Sequence, residues 1–450
     1  MLWHITAENS ITGVKSQWTA NVVVNAAGLF HKSHIPNIPG ISNFKGTAWH
    51  TMHWPKKVDL EGKRVAVIGT GPSAGQVIPQ IQPIVKSLTV YQRSTTYCLP
   101  RQDYAYSAIV RFFFNYVPFV HYLYYLWLYW SFEYIAFYVM RPKTVFARKA
   151  KELGLQHLEN QVKDPILRKK LWPLNDFACK RPLILDDYYP ALQQPNVELI
   201  TDPVIKITST GVVSKPVRAI TQEDAKIIKE EAKTSDHAGN EAGLDSYNSV
   251  NVDPQSTERH TEVDVIIWGT GFHVQSHGSA LEAIGRSGKS LNEHWGEDPR
   301  SLFGNPFLPT LLTPGVAASD FPNFMILFGP NASTPWGSLI YNFEMQSAYN
   351  VRVMREIKQR CLRGDIFAMM PDPVVEKEYA DALQKPLSEL AMSATHGCKA
   401  YYSTSKGRNT HFFPYHQAYY KWITWKVDLK NYILLEKSVG AKSPIVRRGM

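Results

Sequence analysis

Short apolar runs along the chain predict a set of buried strands. Arg64–Ile68, Leu88–Gln92 and Val263–Trp268 are rich in large or β-branched apolar residues and are bounded by glycine or polar residues. Such uninterrupted runs are typical of strands with both faces covered, as in the parallel sheets of α/β proteins. The residues between the first two runs favour a helix over Gln76–Ile84, which completes a strand–helix–strand unit.

Weaker patterns predict further elements on both sides of this unit. A helix is expected at about residues 343–363. The strands predicted outside the unit are Leu2–Ile5, Ala20–Asn25, Val197–Ile200, Val204–Ile207 and Phe324–Phe328. The run Val22, Val23, Val24 suits a strand that is buried on both faces.

Two intervals depart from the strand and helix pattern. Residues 141–175 look helical and charged, whereas residues 217–261 are polar, rich in Lys and Glu, and lack apolar periodicity. A segment of the second kind cannot bury enough apolar surface to fold by itself. We therefore expect a solvated, disordered insertion there.

An aromatic stretch, Phe112–Met140, is long and apolar enough to raise the question of a membrane. Pro118, His121 and Glu133 interrupt it, and its many Tyr and Trp residues suit an interface better than the centre of a bilayer. Three interpretations stay open: helices that are buried or face the substrate, helices that contact a membrane surface, and a spanning helix.

Composition and charge favour some classes of protein function over others. The chain has 450 residues with 44% hydrophobic and 20% charged residues, as in globular proteins of two or three domains. Its net charge of +10 would attract anions, but no run of five Lys or Arg residues occurs, so a phosphorylated cofactor is favoured over nucleic acid. The 4 cysteines are scattered, which predicts neither disulfides nor a metal site and suits the cytoplasm.

A dinucleotide-binding turn is predicted directly after the strand Arg64–Ile68. Gly69, Gly71 and Ala74 form a G-x-G-x-x-A pattern in which the first glycine permits a tight turn and the second lets a pyrophosphate approach the backbone. The helix that follows offers unpaired N–H groups to the anion. The residues expected to hold the cofactor here are Gly69, Thr70, Gly71, Pro72, Ser73, Ala74, Gly75 and Gln76.

The end of the second strand distinguishes NADP from NAD. An acidic residue there would accept a hydrogen bond from the ribose 2′-hydroxyl of NAD, but this chain has Gln92-Arg93-Ser94-Thr95. Arg93, assisted by Ser94, can make a bidentate contact with the 2′-phosphate of NADP. The alternative is a glycine-rich turn of another α/β unit, with Arg93 a solvated surface charge.

A family resemblance rests on the segment before this turn. Phe44, Gly46, His50 and Trp54-Pro55 match in full the F-x-G-x-x-x-H-x-x-x-W-P fingerprint of Baeyer–Villiger monooxygenases. The chain thus resembles class B flavoprotein monooxygenases. The resemblance implies that His50 lies in a hinge that couples domain motion to catalysis; the alternative is a histidine that ties two loops together.

Further segments match the family in the same order along the chain. Cys179-Lys180-Arg181-Pro182 resembles the segment that bears the active-site arginine, Asp264–Phe272 the second hinge strand, and Gly329-Pro-Asn331 a turn near the flavin. The resemblance implies that Lys180 contacts the NADP 2′-phosphate and that Gly271 and Asn331 contact a cofactor. It gives Arg181 the catalytic role, since a guanidinium stays charged in a dry site and stabilises developing negative charge.

The chemistry implied is oxidation of a ketone. In the family NADPH reduces FAD, and one oxygen atom of O2 is then inserted next to the ketone carbonyl. The long aromatic stretch resembles members from fungal secondary metabolism and hints at a bulky apolar substrate. Two alternatives are an N- or S-hydroxylating flavin monooxygenase, whose fingerprint lacks the Trp-Pro ending, and a non-catalytic NADP-binding remnant.

The fold implied is an α/β flavoprotein with two dinucleotide-binding domains. No G-x-G-x-x-G unit precedes Gly69, so we expect an N-terminally truncated chain that lacks most of the first, FAD-binding Rossmann module and whose activity is doubtful. The expected division is residues 1–55, a remnant of the FAD domain and the linker; 56–215, the NADP domain with a helical insertion at about 107–175; 216–262, the polar insertion; and 263–450, the rest of the FAD domain and a tail.

Overall fold

The computed structural model describes residues 2–101, 103–216, 257–274, 281–296, 298–301, 316–398, 401–436 and 445–448. The polar insertion predicted at 216–262 therefore lies outside the described residues, except at its two ends. The strands are β1 (Trp3–Glu8), β2 (Lys15–Ala20), β3 (Val23–Asn25), β4 (Thr47–His50), β5 (Arg64–Ile68), β6 (Ser87–Tyr91), β7 (Cys98–Leu99), β8 (Leu183–Ile184), β9 (Val197–Ile200), β10 (Val204–Ile207), β11 (Gly211–Ser214), β12 (Arg259–Glu262), β13 (Val265–Trp268), β14 (Phe324–Ile326), β15 (Ala368–Pro371), β16 (Tyr432–Glu436) and β17 (Ile445–Arg448). The helices are α1 (Pro72–Ile81), α2 (Ala108–Tyr116), α3 (Val120–Val139), α4 (Val145–Gln161), α5 (Pro165–Leu171), α6 (Tyr188–Leu192), α7 (Leu291–Trp295), α8 (Leu339–Arg363), α9 (Pro373–Ser388) and α10 (Gln417–Ile423).

A five-stranded parallel sheet positions the site. Its strand order is β4-β13-β5-β6-β9, and every neighbouring pair is parallel. The inner strands are almost fully buried, which explains why β5, β6 and β13 read as continuous apolar runs in the sequence. The sheet takes β4 and β13 from outside the interval 56–215, so strands from three separate parts of the chain complete it.

The helix of the glycine-rich unit begins earlier than its hydrophobic pattern suggested. Helix α1 runs from Pro72 to Ile81, four residues ahead of the predicted start at Gln76. Proline is well suited to the first helical position, because its missing N–H would have no partner there and its φ is already helical. Pro83 follows the helix end and explains why it stops before Ile84.

A second packed region, called the second body below, is built around α8 and α9 and includes β15, β16 and α10. Its core contains Tyr349 of α8 and Tyr432 of β16, which are both buried and whose hydroxyl oxygens lie 3.0 Å apart. Strand β3 pairs in parallel with β14 and so joins the N-terminal residues to this body. The expectation that Val22–Val24 is buried on both faces is wrong: Val24 is 39% exposed, since among the described strands β3 has β14 as its one partner.

Helices α2, α3, α4 and α5 occupy the interval between β7 and β8. Helix α2 contains no buried residue, and in α3 only Glu133 is buried. The Glu133 carboxylate accepts hydrogen bonds from the backbone N–H of Gln417, at 3.0 and 2.9 Å, and contacts Nδ1 of His416 at 3.2 Å. This anchors α3 to the start of α10. No helix in the described ranges is long and apolar enough to cross a membrane.

A disulfide joins Cys179 to Cys398, 219 residues apart in the sequence. The expectation of no disulfide is therefore wrong for this pair, whereas Cys98 and Cys361 form no disulfide. Both bonded cysteines are buried. The bond ties the segment before β8 to the part of the chain that follows α9.

We expect the Cys179→Ser/Cys398→Ser double variant to lose about 2–4 kcal/mol of unfolding free energy, because the crosslink restricts the unfolded chain. Urea unfolding without reductant measures the loss. Dithiothreitol should reproduce it in the wild type and leave the double variant unchanged. The Cys361→Ser variant, which removes an exposed thiol, is the control. Wild-type midpoints that are equal with and without dithiothreitol would show that the pair contributes no such stability.

Candidate functional site

Two glycine turns meet at the carboxyl edge of the parallel sheet. Gly69 follows β5 with a φ of +113°, and a Cβ at this position would lie 2.3 Å from the carbonyl oxygen of Gly269. A Cβ on Gly269 would in turn lie 2.9 Å from the Cβ of Ala74. Neither position has room for a side chain. The first glycine of the predicted motif is thus required by the approach of β13 as well as by the turn itself.

The second glycine opens a cradle at the start of α1. Nothing lies within 4 Å of where a Cβ of Gly71 would stand, and no side chain caps the N-terminus of the helix. The first-turn amides are therefore open to a ligand, with Ser73 and Gln76 exposed beside them. Gly75 is different, since a Cβ there would press at 3.1 Å on Leu185, so it serves close packing. This arrangement suits an anion held by backbone N–H groups.

A pair of cations lies beside this cradle. Thr70 Oγ1 donates a hydrogen bond to the carbonyl of Ser94 at 3.3 Å, and Lys180 Nζ donates to Ser94 Oγ. Burial, followed by the charge of Arg93, lowers the pKa of Lys180 to about 8. No carboxylate forms an ion pair with Arg93 or Lys180 in the part of the chain that the structure describes. Two neighbouring positive charges without a counterion favour a multiply charged anion.

Pairing of two short strands brings the arginine segment to this place. Strand β7 lies parallel to β8, with Cys98 opposite Leu183, and Thr96 Oγ1 donates to the carbonyl of Arg181 at 3.3 Å. The side chain of Arg181 is exposed. Burial raises the pKa of Tyr402, and the charge of Arg181 partly opposes that effect, so the two groups lie within electrostatic range of each other. No sequence motif marked Tyr402.

His50 is the last residue of β4 and is buried at the edge of the sheet. It is the register partner of Trp268 in β13. Its Nδ1 accepts a hydrogen bond from Met52 N–H at 3.1 Å, and burial is the main cause that lowers its pKa from the ordinary 6.5. The ring is therefore neutral at pH 7. Its Nε2 faces the Gly271 carbonyl but has no hydrogen bond of normal geometry, and the ring lies edge-on to Phe272 at 5.3 Å.

The two predicted hinge segments are held together by the loop before β4. The N–H of His34 donates to the Gly271 carbonyl at 2.9 Å, and the N–H of His273 donates to the Lys32 carbonyl at 3.0 Å. Thr270 Oγ1 donates to the His34 carbonyl. The imidazoles of His34 and His273 also contact each other at 3.3 Å. Sequence reasoning missed this histidine pair, because its members stand 239 positions apart.

The remaining fingerprint residues have packing roles. A Cβ on Gly46 would lie 2.4 Å from the Asp264 carbonyl and 2.5 Å from the Phe44 ring, so only glycine fits between them. Phe44 packs against the core on that side of the sheet. Trp54, just before Pro55, stacks edge-on against Trp49 at 5.4 Å. These contacts fix how the chain leaves β4 toward β5.

Asn331 lies apart from the glycine turn and the cation pair. Its backbone has a φ of +53°, and its Nδ2 donates to the carbonyls of Asn409, at 2.9 Å, and Phe412, at 2.8 Å. The side chain thus joins two loops of the second body. No contact links it to Lys180 or Arg181 in the described part of the chain. Its expected contact with a cofactor stays a prediction.

Comparison with known proteins agrees with this geometry. A model of the flavin-binding monooxygenase-like family matches residues 2–121. The FAD-binding monooxygenase BOA2 of Botryotinia fuckeliana is 33% identical over 98% of this chain and 74% of its own length. A Baeyer–Villiger monooxygenase of Pseudomonas aeruginosa is 30% identical over 99% of this chain and 73% of its own length.

Solved structures share the fold. Cyclohexanone monooxygenase from Rhodococcus sp. Phi1, bound to NADP+, superimposes with a TM-score of 0.71 and 22% identity over 97% of this chain and 78% of that one. The OTEMO complex with FAD and NADP gives a TM-score of 0.69 and 20% identity over 96% and 78% of the two chains. The fold is thus that of enzymes with two dinucleotide-binding domains. These matches run along nearly the whole chain and do not support the expected loss of a first FAD module. The chain belongs to the Baeyer–Villiger monooxygenase family of flavin-dependent oxidoreductases.

Proposed function

We propose that this chain uses NADPH, FAD and O2 to insert one oxygen atom next to the carbonyl of a bulky apolar ketone. The observation that carries the proposal is the cation pair Arg93 and Lys180, which lies beside the open glycine cradle and has no carboxylate partner among the described residues. Arg181 follows directly in the same segment. This arrangement supports a dinucleotide site with a candidate catalytic cation next to it.

The residues fit NADP in shape and in charge. The pyrophosphate would lie on the first-turn amides of α1, where the lack of a Cβ at Gly71 leaves room for it. Arg93 and Lys180 would hold the 2′-phosphate, while Ser94 orients the lysine. NADP supplies hydride for the reduction of the flavin when it is bound. The protein's part is to select the phosphorylated cofactor and to hold it at the carboxyl edge of the sheet.

FAD is the second cofactor of the family. The described residues offer one G-x-G-x-x-A turn, at Gly69, Gly71 and Ala74, and this turn suits NADP. Asn331, expected near the flavin, already donates both of its amide hydrogen bonds to the second body. None of the described side chains is therefore assigned to the FAD pyrophosphate.

Arg181 is proposed as the catalytic cation. Its backbone is held by Thr96 and by the pairing of β7 with β8, whereas its side chain is exposed and within electrostatic range of Tyr402. When oxygen is added to a ketone, the carbonyl oxygen gains negative charge. A guanidinium held close by stabilises this charge and cannot give up its proton.

His50 is proposed as a hinge residue rather than a proton carrier. The ring is neutral and buried, and its Nδ1 is engaged by Met52. It stands where β4 ends and next to Gly271, where the chain leaves β13. This placement suits a residue that holds two crossing segments in register while the cofactor site is loaded.

Arg93→Gln should weaken NADP+ binding about ten- to a hundredfold, because a charge-assisted hydrogen bond to the phosphate is lost. NAD+ has no 2′-phosphate, so its affinity should stay unchanged. Titration calorimetry with both nucleotides measures the two dissociation constants. Arg101→Gln, which removes an exposed arginine of the same region, is the matched control. Equal losses for NAD+ and NADP+ would contradict a 2′-phosphate contact.

NADP+ affinity should fall as the pH rises above about 8, by up to tenfold per pH unit. The pKa of Lys180 is lowered to about 8 in the free protein, so above that pH the phosphate must bind together with a proton. Calorimetry between pH 7 and 9.5 tests this. Lys180→Arg should remove the dependence, since arginine stays charged throughout. A slope that persists in the Lys180→Arg variant would assign it to another group.

Arg181→Ala should lower the rate of ketone oxygenation about a hundred- to a thousandfold while NADP+ affinity changes little. Arg181→Lys should restore little of the activity, because an ammonium cannot reproduce the planar fork of donors. Ester formation from a panel of apolar ketones, followed by gas chromatography, measures the rate. Equal activity of the alanine variant and the wild type would remove Arg181 from the chemistry.

A further inference from the structure

Helices α2 and α3 together form what we call the aromatic hairpin, residues 108–139. Most of its apolar side chains face solvent. Those that are exposed are Ile109, Phe112, Phe113, Tyr116, Phe119, Tyr122, Leu123, Tyr125, Trp127, Trp130, Phe132, Tyr134 and Ile135. A helix that is apolar on all sides normally lies inside a protein core or in contact with lipid. Exposed apolar surface of this extent marks an interaction site.

The hairpin is held firmly at one end. Phe137 stacks on His416 at 3.8 Å and lies edge-on to Trp336 at 5.3 Å. Glu133 accepts the N–H of Gln417 and contacts the same His416. The C-terminal half of α3 is thus seated on the second body. The exposed side chains therefore lie on a helix whose position is fixed by its contacts with the second body.

Exposure on several sides of α3 bears on the kind of partner. Tyr122, Leu123 and Tyr125 are all exposed, although successive residues of a helix point about 100° apart. One flat protein surface would cover a single side of such a helix. A lipid surface can accommodate the hairpin on several sides at once.

Residue chemistry also favours lipid. Tyr and Trp have an apolar ring and a polar group, and they concentrate where a bilayer meets water. Exposed cations flank the hairpin or lie within it at Arg111, Lys143, Arg148 and Lys149, whereas Arg141 is mostly buried and pairs with Glu389 at 3.8 Å. Between residues 104 and 151 the sequence has one acidic residue, Glu133, and it is buried. The surface is thus complementary to anionic headgroups.

We infer that the aromatic hairpin binds the surface of an anionic lipid membrane and lies in the headgroup region of one leaflet. The ring systems enter the boundary between headgroups and acyl chains, while the flanking cations meet lipid phosphates. The inference uses neither the cofactor site nor the reaction. A negative result for the proposed function would therefore not contradict membrane binding, and a negative result for membrane binding would not contradict the proposed function.

Co-sedimentation of the full chain with vesicles tests the inference. The wild type should bind vesicles of phosphatidylcholine with 30 mol% phosphatidylserine, and bind phosphatidylcholine alone more weakly by about fivefold for each cation engaged. Brominated lipids should quench part of its tryptophan fluorescence. Trp127→Ser/Trp130→Ser should lower the partition coefficient at least tenfold. Arg111→Gln/Lys143→Gln should abolish most of the preference for anionic lipid.

The matched control removes two exposed apolar side chains from elsewhere. Trp127 and Trp130 are 62% and 57% exposed, and Ile11 and Trp18 of the β1–β2 hairpin are 92% and 55% exposed. Ile11→Ser/Trp18→Ser should bind vesicles as the wild type does. Circular dichroism and NADP+ affinity should show that each variant is folded.

Three results would overturn the inference. The first is a wild type that stays in the supernatant with anionic vesicles. The second is a dimer seen by light scattering that the Trp127→Ser/Trp130→Ser change dissociates, without vesicle binding, because the hairpin would then serve self-association. Equal vesicle binding by the tryptophan and control variants would likewise place the contact outside the hairpin.

Discussion

The site depends on the contact between two glycine turns. Gly69 approaches the Gly269 carbonyl so closely that it cannot carry a Cβ, and Gly269 cannot carry one because Ala74 is packed against it. This contact sets the spacing of β5 and β13 at their carboxyl ends and fixes the start of α1. The open amides of that helix, the cation pair and His50 all lie at this same edge of the sheet. A larger side chain at either glycine would push the two strands apart where the cofactor cradle forms.

The electrostatics of the site follow from how the arginine segment is attached. Pairing of β7 with β8 carries Lys180 to Ser94, next to Arg93, although like charges repel and burial disfavours the lysine charge. Such a cluster costs folding energy unless an anion binds to it. The disulfide at Cys179 and the Thr96 hydrogen bond at Arg181 lie on either side of Lys180 and hold the segment in place. These contacts hold Lys180 next to Arg93 without neutralising either charge, which leaves the pair able to bind an anion.

Local sequence patterns predicted the strands whose bounds depend on residues close to each other in the chain. Strands β5, β9 and β10 have the predicted bounds, because each consists mainly of Val, Ile or Leu between turn residues. Features that depend on tertiary contacts were missed. The Cys179–Cys398 bond and the His34–His273 pair join residues more than two hundred positions apart, and no local signal marks such partners. Burial of Val24 was predicted wrongly because a run of valines does not reveal how many strands will flank it.

The proposed hinge role of His50 accounts for the strict surroundings of this fingerprint residue. The segment that joins β3 to β4 and the segment that follows Trp268 both connect the parallel sheet with the second body. A backbone hydrogen bond joins His34 of the first segment to Gly271 of the second, and His50 lies beside Gly271. A rotation of one body against the other would pivot at this cluster. A buried, neutral imidazole can keep its hydrogen bond to Met52 through such a rotation, whereas a charged side chain would have to be solvated again at each step.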